Sequence, residues 1–203
     1  MGALCVFGDS ITWGAWDVEK GGWVNRLRLF IDKENLNYRV FNCGVGGDTT
    51  KELVARFSSE MAARQLDETG GDIIIFSVGC NDSLYYQNGR LGVSKLEFKK
   101  NLELLGRQAR KFSKAVIFLG IGNVDERKTR PVPWNEDANY ANNGVREYNK
   151  FVETLAKRNH FNFVPIFGLL KSSDLADGLH PNSRGHEKIF RRVKNFLKKN
   201  KFI

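Results

Sequence analysis

The chain has little of what marks proteins outside the ordinary globular class. Only four of its 203 residues are proline, and it contains no repeat or low-complexity tract, so we expect neither a disordered nor a fibrous protein. No apolar run approaches the roughly 20 residues that a membrane-spanning helix needs. The opening residues, MGALCVFGDS, lack the basic and apolar regions of a secretion signal. These absences predict one domain over residues 1–203, without a membrane span and in the cytoplasm.

Cysteine is also scarce. The three cysteines, Cys5, Cys43 and Cys80, each lie in or beside an apolar run. Their odd number argues against a disulfide framework, and the default interpretation is that they are small buried hydrophobic residues. A reduced, cytoplasmic compartment follows from this interpretation.

Positive charge exceeds negative charge, with a formal net charge of +9. The excess is concentrated near the end of the chain, at Lys188, Arg191, Arg192, Lys194, Lys198, Lys199 and Lys201. The simplest interpretation is the solvated face of a terminal helix. Contact with nucleic acid and steering of an anionic substrate remain open. No nucleic-acid motif accompanies the charge, so we expect no nucleic-acid partner.

Short apolar runs alternate with amphipathic segments along the chain. The runs predict strands at residues 4–7, 38–43, 72–78, 115–119 and 161–166. Helical spacing of apolar residues predicts helices at residues 23–31, 53–61, 98–109, 145–155 and 189–197. Residues 120–140 are predicted to form a long loop, and Pro165 suits an edge strand or a strand end. Such alternation predicts a parallel sheet covered on both faces, with sites beyond the carboxyl ends of the strands.

Ser10 directly follows the first predicted strand, and His180 and Asp177 lie in the loop before the last helix. A serine hydroxyl needs an adjacent base to act as a nucleophile, and His180 is a candidate. Asp177, three positions earlier on a compact turn, could hold the imidazole in the required tautomer. Ser10 could equally cap a helix, and Asp177 could simply form a turn with Gly178.

Three groups could stabilise the oxyanion that forms when a serine attacks an ester carbonyl. They are the backbone N–H of Gly47, the side-chain amide of Asn81 and the backbone N–H of Ser10. A plain turn at Gly47 and a strand-end turn or helix cap at Asn81 remain alternatives.

Four segments together resemble the sequence blocks of the SGNH (GDSL-type) hydrolase family. In chain order they are Gly8-Asp9-Ser10, Asn42-x-x-x-x-Gly47-Asp48-Thr49, Gly79-x-Asn81-Asp82 and Asp177-x-x-His180-Pro181. The resemblance spans residues 8 to 181, with Ile11 where leucine is usual. It implies a three-layer α/β/α sandwich with a five-stranded parallel, flavodoxin-like sheet.

The resemblance also implies a function. Ser10 would be the nucleophile, His180 the base and Asp177 the orienting acid, with Gly47, Asn81 and the Ser10 amide as oxyanion donors. The protein would be a serine esterase that hydrolyses a small-molecule carboxylic ester through an acyl-enzyme, without cofactor or metal.

The substrate is predicted less directly from the residues around this site. Asp9, Trp13 and Trp134 are candidates for the substrate pocket, and residues 121–140 are predicted to form one of its walls. We expect short acyl or acetyl esters to be favoured.

Other functions compete with this interpretation. An α/β-hydrolase would show Gly-x-Ser-x-Gly after a central strand, which is not the pattern at Ser10. A metal site from Asp177, His180 and His186 matches none of the usual zinc spacings. Cys80 as nucleophile has no base nearby in the sequence. A carbohydrate- or nucleotide-binding module without catalysis, the latter using the glycines of residues 44–47, also stays open.

Overall fold

The computed structural model describes residues 1–67, 69 and 71–203. Its strands are β1 (Gly2–Gly8), β2 (Tyr38–Gly44), β3 (Ile73–Ser77), β4 (Tyr85–Tyr86), β5 (Ala115–Leu119), β6 (Ala138–Asn139) and β7 (Asn162–Val164). Its helices are α1 (Ser10–Trp13), α2 (Trp23–Lys33), α3 (Thr50–Ala62), α4 (Lys95–Ala109), α5 (Glu126–Thr129), α6 (Asn142–Arg158) and α7 (Ser183–Lys199).

Five strands form one parallel sheet in the order β2-β1-β3-β5-β7. The predicted parallel, five-stranded, flavodoxin-like sheet is therefore confirmed. Leu4 in the central part of β1 pairs with Val40 of β2 and with Ile73 of β3. β7 is an edge strand and ends directly before Pro165, because proline has no N–H to donate to a neighbouring strand.

Helices cover both faces of this sheet. Successive side chains of β1 point to opposite faces, so Cys5 and Phe7 pack with α3, α4 and α6, while Leu4 and Val6 pack with α2 and α7. Trp23 on α2 is completely buried on the same face of the sheet as Leu4 and Val6. The predicted three-layer α/β/α sandwich is confirmed.

Residues 120–140 contain more regular structure than the predicted loop. α5 begins after Asp125, whose carboxylate accepts a hydrogen bond from the Arg127 N–H, and β6 pairs antiparallel with β4. These elements of four and two residues are too short for sequence periodicity to reveal them.

All but one of the basic residues near the end of the chain lie on α7, and Lys201 lies beyond its end. Ile189 and Val193 are buried against the sheet, while Arg191 and Arg192 face solvent. Within the parts of the chain that the structure describes, no helix is both long enough and apolar enough to cross a membrane.

Candidate active site

The segments singled out in the sequence meet at the carboxyl edge of the sheet. Ser10 follows β1, Gly47 follows β2 and Asn81 follows β3, while the turn of residues 177–180 lies between β7 and α7. From β1 the chain continues to β2 on one side and then returns to β3 on the other, so the order in which strands are added reverses between β1 and β3. At such a switch point the loops diverge and leave a crevice where ligands bind. The topology thus gathers side chains that are up to 170 positions apart in the sequence.

Ser10 is the first residue of α1 and lies directly at the end of β1. The end of β1 packs closely against β3, since a Cβ at Gly8 would clash with the carbonyl oxygen of Ser77. Asp9 is the N-cap of α1, and its carboxylate accepts a hydrogen bond of 2.9 Å from the Ile11 N–H. Asp9 is only 3% exposed, and burial raises its pKa to about 6.

Ser10, His180 and Asp177 form a continuous hydrogen-bonded line. Ser10 Oγ lies 2.9 Å from His180 Nε2, and His180 Nδ1 lies 2.7 Å from Asp177 Oδ2. Because the carboxylate can only accept, Nδ1 carries the proton, and Nε2 is left as an acceptor for the serine hydroxyl. Burial raises the pKa of Asp177, but hydrogen bonds from His180 and from the Leu179 N–H outweigh this and lower it to about 2.

The turn that carries His180 is fixed on both sides. The Ala176 N–H donates to the His180 carbonyl at 2.8 Å, and the His180 N–H donates to Asp177 Oδ1 at 2.8 Å. Gly178 has a φ of +94°, and a Cβ there would lie 2.6 Å from the Cβ of Lys128. The Asp-Gly turn and the contact with His180 therefore exist together rather than as alternatives.

Gly47 and Asn81 lie on neighbouring loops that are joined by a hydrogen bond. Asn81 Nδ2 donates to the carbonyl of Asp48, the residue after Gly47, at 2.9 Å. Gly47 itself is exposed and has a φ of +84°, a conformation that glycine adopts without strain. One hydrogen of Asn81 Nδ2 stays available beyond the one given to Asp48.

Arg56 was not indicated by the sequence, yet it holds these loops together. Its guanidinium donates to Asp48 Oδ2 at 2.7 Å, to the Cys43 carbonyl at 2.9 Å and to the Gly8 carbonyl at 3.1 Å. It thus connects the ends of β1 and β2 to the Gly47 loop. An arginine on an amphipathic helix gives no sequence signal of this kind.

Tyr140 is a second residue that the sequence did not indicate. Its hydroxyl donates to Asn81 Oδ1 at 3.0 Å, and its side chain is buried. A tyrosine at the end of a predicted loop carries no signal that identifies its partner.

The three predicted pocket residues differ in their surroundings. The ring centroid of Trp134 lies 5.8 Å from that of His180, and Trp134 is 55% exposed. Trp13 is 62% exposed and borders an open surface depression with Val45 and Gly46. Asp9, by contrast, lines a small cavity of about 20 Å³ together with Ile11, Cys80 and Pro181.

His186, a candidate metal ligand, and Cys80, a candidate nucleophile, are both in surroundings that do not suit those roles. Both ring nitrogens of His186 are used, because Nδ1 accepts from the Trp23 N–H at 3.2 Å and Nε2 donates to the Ala15 carbonyl at 2.9 Å. Cys80 is buried, and burial raises its pKa well above the ordinary value, so it is a thiol rather than a nucleophilic thiolate. Among the residues that the structure describes, no group of three His, Cys, Asp or Glu side chains could hold a metal ion.

A serine, a histidine and an aspartate in hydrogen-bonded line at the carboxyl edge of a flavodoxin-like sheet define the class of serine hydrolases. Residues 6–188 match the model of the GDSL-like Lipase/Acylhydrolase family. The chain belongs to this family, and it is an esterase that hydrolyses ester bonds with a serine nucleophile. A non-catalytic binding module on the same fold is not favoured.

Individual proteins are similar to the chain in sequence or in fold. The chain is 26% identical over 199 residues to the esterase TesA of Pseudomonas aeruginosa, covering 96% of this chain and 87% of that protein. The lipase/acylhydrolase from Enterococcus faecalis has a similar fold, with a TM-score of 0.75 at 20% identity and coverage of 98% and 97%. The acetylxylan esterase Axe2 from Geobacillus stearothermophilus gives a TM-score of 0.73 at 22% identity, with coverage of 97% and 93%.

Proposed function

We propose that this esterase cleaves short acyl esters, acetyl esters above all, by forming an acyl-enzyme on Ser10. The observation that carries the proposal is the hydrogen-bonded line from Ser10 through His180 to Asp177, with distances of 2.9 and 2.7 Å. A nucleophile in contact with a base that is oriented by a third group is the arrangement that activates a serine hydroxyl.

The chemistry proceeds in two acyl transfers. Ser10 Oγ attacks the ester carbonyl while its proton passes to His180 Nε2, and Asp177 stabilises the imidazolium. The oxyanion of the tetrahedral intermediate accepts hydrogen bonds from the Gly47 N–H, the Ser10 N–H and the remaining Nδ2 hydrogen of Asn81. The imidazolium protonates the departing alcohol. Water, deprotonated by the same histidine, then attacks the acyl-enzyme and frees the carboxylic acid and the serine.

The shape of the site supports a small acyl group. The cavity lined by Asp9 and Ile11, the residues on either side of Ser10, has a volume of about 20 Å³, which is room for about one water molecule, and Ser10 does not line it. It therefore offers no tunnel for an extended acyl chain beside the proposed nucleophile. Trp13 and Trp134 instead stand on the open surface, where their exposed rings can contact the alcohol part of the ester.

Hydrolysis of p-nitrophenyl esters from acetate to decanoate tests both parts of this proposal. The Ser10→Ala variant should lose at least about a thousandfold in kcat while remaining folded. Ser59→Ala is the matched control, since this exposed serine bonds to its own helix, at the Arg56 carbonyl. Full activity in Ser10→Ala would refute Ser10 as nucleophile, and a rate that rises toward decanoate would refute the preference for short acyl groups.

We further propose that residues 121–140 form one wall of the substrate site. Trp134 supports this, since its ring lies beside that of His180. Trp134→Ala should raise KM for esters of bulky alcohols several-fold and leave KM for ethyl acetate nearly unchanged. Equal effects on both substrates, or none, would contradict a wall at this place.

We also infer a cytoplasmic location. Cys5, Cys43 and Cys80 are all free thiols, which suits a reducing compartment. Fractionation of cells that express the protein from its own promoter checks this, and recovery of activity outside the cytoplasm would refute it.

A further inference from the structure

Tyr140 links the segment after β5 to the predicted oxyanion donor Asn81. It follows β6 directly, and its backbone is held twice by Thr129 at the end of α5. The Tyr140 N–H donates to the Thr129 carbonyl at 2.9 Å, and Thr129 Oγ1 donates to the Tyr140 carbonyl at 3.0 Å. Thr129 is completely buried, so this anchor is shielded from water.

The orientation of the Asn81 amide follows from its two partners. The Asp48 carbonyl oxygen can only accept, so the group that faces it at 2.9 Å must be Nδ2. Oδ1 then faces the Tyr140 hydroxyl at 3.0 Å, and the hydroxyl must be the donor. One hydrogen of Nδ2 is left without use in these two bonds.

We propose that Tyr140 is a positioning residue for the oxyanion hole, acting by holding the Asn81 amide so that its remaining N–H points at the developing oxyanion. The inference rests on the proposed function of Ser10 and Asn81. Nothing in the sequence motifs of the site assigns Tyr140 a role.

Two physical effects favour this role over simple packing. The terminal torsion of asparagine is soft, so the amide rotates easily unless both of its ends are held. A hydrogen bond accepted at Oδ1 also polarises the amide, which makes its N–H groups stronger donors. Burial raises the pKa of Tyr140 far above its ordinary value, so its hydroxyl stays protonated and remains a donor throughout the pH range of the assay.

A double-mutant cycle between Tyr140 and Asn81 tests the proposal. Tyr140→Phe keeps the buried ring and removes only the hydroxyl. It should lower kcat for p-nitrophenyl acetate by about tenfold with KM nearly unchanged, as expected for orienting groups behind a functional residue. Asn81→Ala should cost about a hundredfold or more. Because Tyr140 acts through Asn81, adding Tyr140→Phe to Asn81→Ala should cause no further loss.

Tyr148→Phe is the matched control. Tyr148 is also a buried tyrosine, and its hydroxyl donates to the Val93 carbonyl at 2.5 Å rather than to Asn81. Loss of the Tyr148 hydroxyl should lower the melting temperature about as much as Tyr140→Phe does but leave kcat within a factor of two of the wild-type value. A second measurement is the affinity for phenylboronic acid, whose adduct with Ser10 places an oxygen in the oxyanion hole. Tyr140→Phe should weaken this binding by the same factor as kcat/KM.

Several outcomes would overturn the proposal. These are an unchanged kcat in Tyr140→Phe, an equal loss of kcat in Tyr148→Phe, and a further tenfold loss on adding Tyr140→Phe to Asn81→Ala. If Tyr140→Phe folds poorly, Thr129→Val can replace it, because this variant loosens the same anchor and keeps the Tyr140 phenol. Thr129→Val should lower kcat in the wild-type background and cause no further loss of kcat in the Asn81→Ala background. Failure of the proposed function shows separately, as full activity in Ser10→Ala.

Discussion

Asp9 is a buried carboxyl group beside the predicted nucleophile, and replacing it by asparagine measures what its negative charge costs the fold. Burial raises its pKa from 3.8 to about 6, although the hydrogen bond from the Ile11 N–H partly opposes this. At about 1.4 kcal/mol for each pH unit, this difference corresponds to about 3 kcal/mol lost from the free energy of unfolding.

The sign and the pH range follow from the raised pKa. Below about pH 3 the carboxyl group is protonated in the folded and the unfolded chain, and the cost is absent. Between pH 4 and 6 the unfolded chain releases its proton first, so unfolding becomes easier, and above pH 6 the cost is constant. Asparagine cannot ionise, yet its Oδ1 can still accept from the Ile11 N–H as the N-cap of α1.

Urea denaturation of wild type and Asp9→Asn from pH 4 to pH 8 measures this effect. We expect a gain of only about 0.5 kcal/mol for the variant at pH 4 and a gain of about 2–3 kcal/mol at pH 8. Asp137→Asn, at an exposed carboxyl group, is the control and should show no such gain. Other titrating groups cancel when the two proteins are compared. The kcat should fall several-fold, because the charges of Asp9 and of the His180 imidazolium attract each other. A gain that persists undiminished at pH 4, or its absence at pH 8, would refute the reasoning.

Three further substitutions test other buried groups. Asp17→Asn removes the buried carboxylate charge that pairs with Arg26 at 2.9 Å, while Glu187 still pairs with the guanidinium at 2.8 Å, and should cost about 3 kcal/mol of unfolding free energy, measured in urea. Gly178→Ala should cost about 2 kcal/mol and lower kcat, since φ is +94° there and the added Cβ meets Lys128; a stable, fully active variant would contradict this. Burial lowers the pKa of His186, so this histidine by itself removes stability as the pH falls below 6.5, and His186→Gln should gain stability relative to wild type over that range in thermal melts.

The sequence predicts the sheet well because each buried strand is a run of consecutive apolar residues. Residues 73–75 are three isoleucines, and the structure buries them all in β3 with helices on both faces. On α7 the apolar residues recur at helical spacing, and Ile189 and Val193 are buried as this spacing predicts. Short elements such as α5 and β6 cannot be predicted in this way, because they contain too few residues to show a period.

The candidate site likewise contains residues that the sequence predicts and residues that it does not. Ser10 and His180 follow a strand and precede a helix, so the parallel topology alone predicts that they share one edge of the sheet. In the structure Ser10 Oγ lies 2.9 Å from His180 Nε2. Tyr140 and Arg56 could not be predicted, because their roles depend on which carbonyl or amide a long side chain reaches across two loops. Those contacts are set by loop conformation, on which sequence periodicity carries no information.

The segment between β5 and α6 contacts the predicted base and the predicted oxyanion donor at once. Trp134 lies against His180, and Tyr140 bonds to Asn81. Trp134 is exposed and can touch a substrate, whereas Tyr140 is buried and can only act through its neighbour. Substitutions at the exposed position should therefore change KM from one alcohol to another, and those at the buried position should change kcat for every ester alike. The anchor of Tyr140 joins it to Thr129 at the end of α5 and does not involve Trp134. Substitutions at Trp134 can therefore change the substrate preference of the enzyme without disturbing the oxyanion hole.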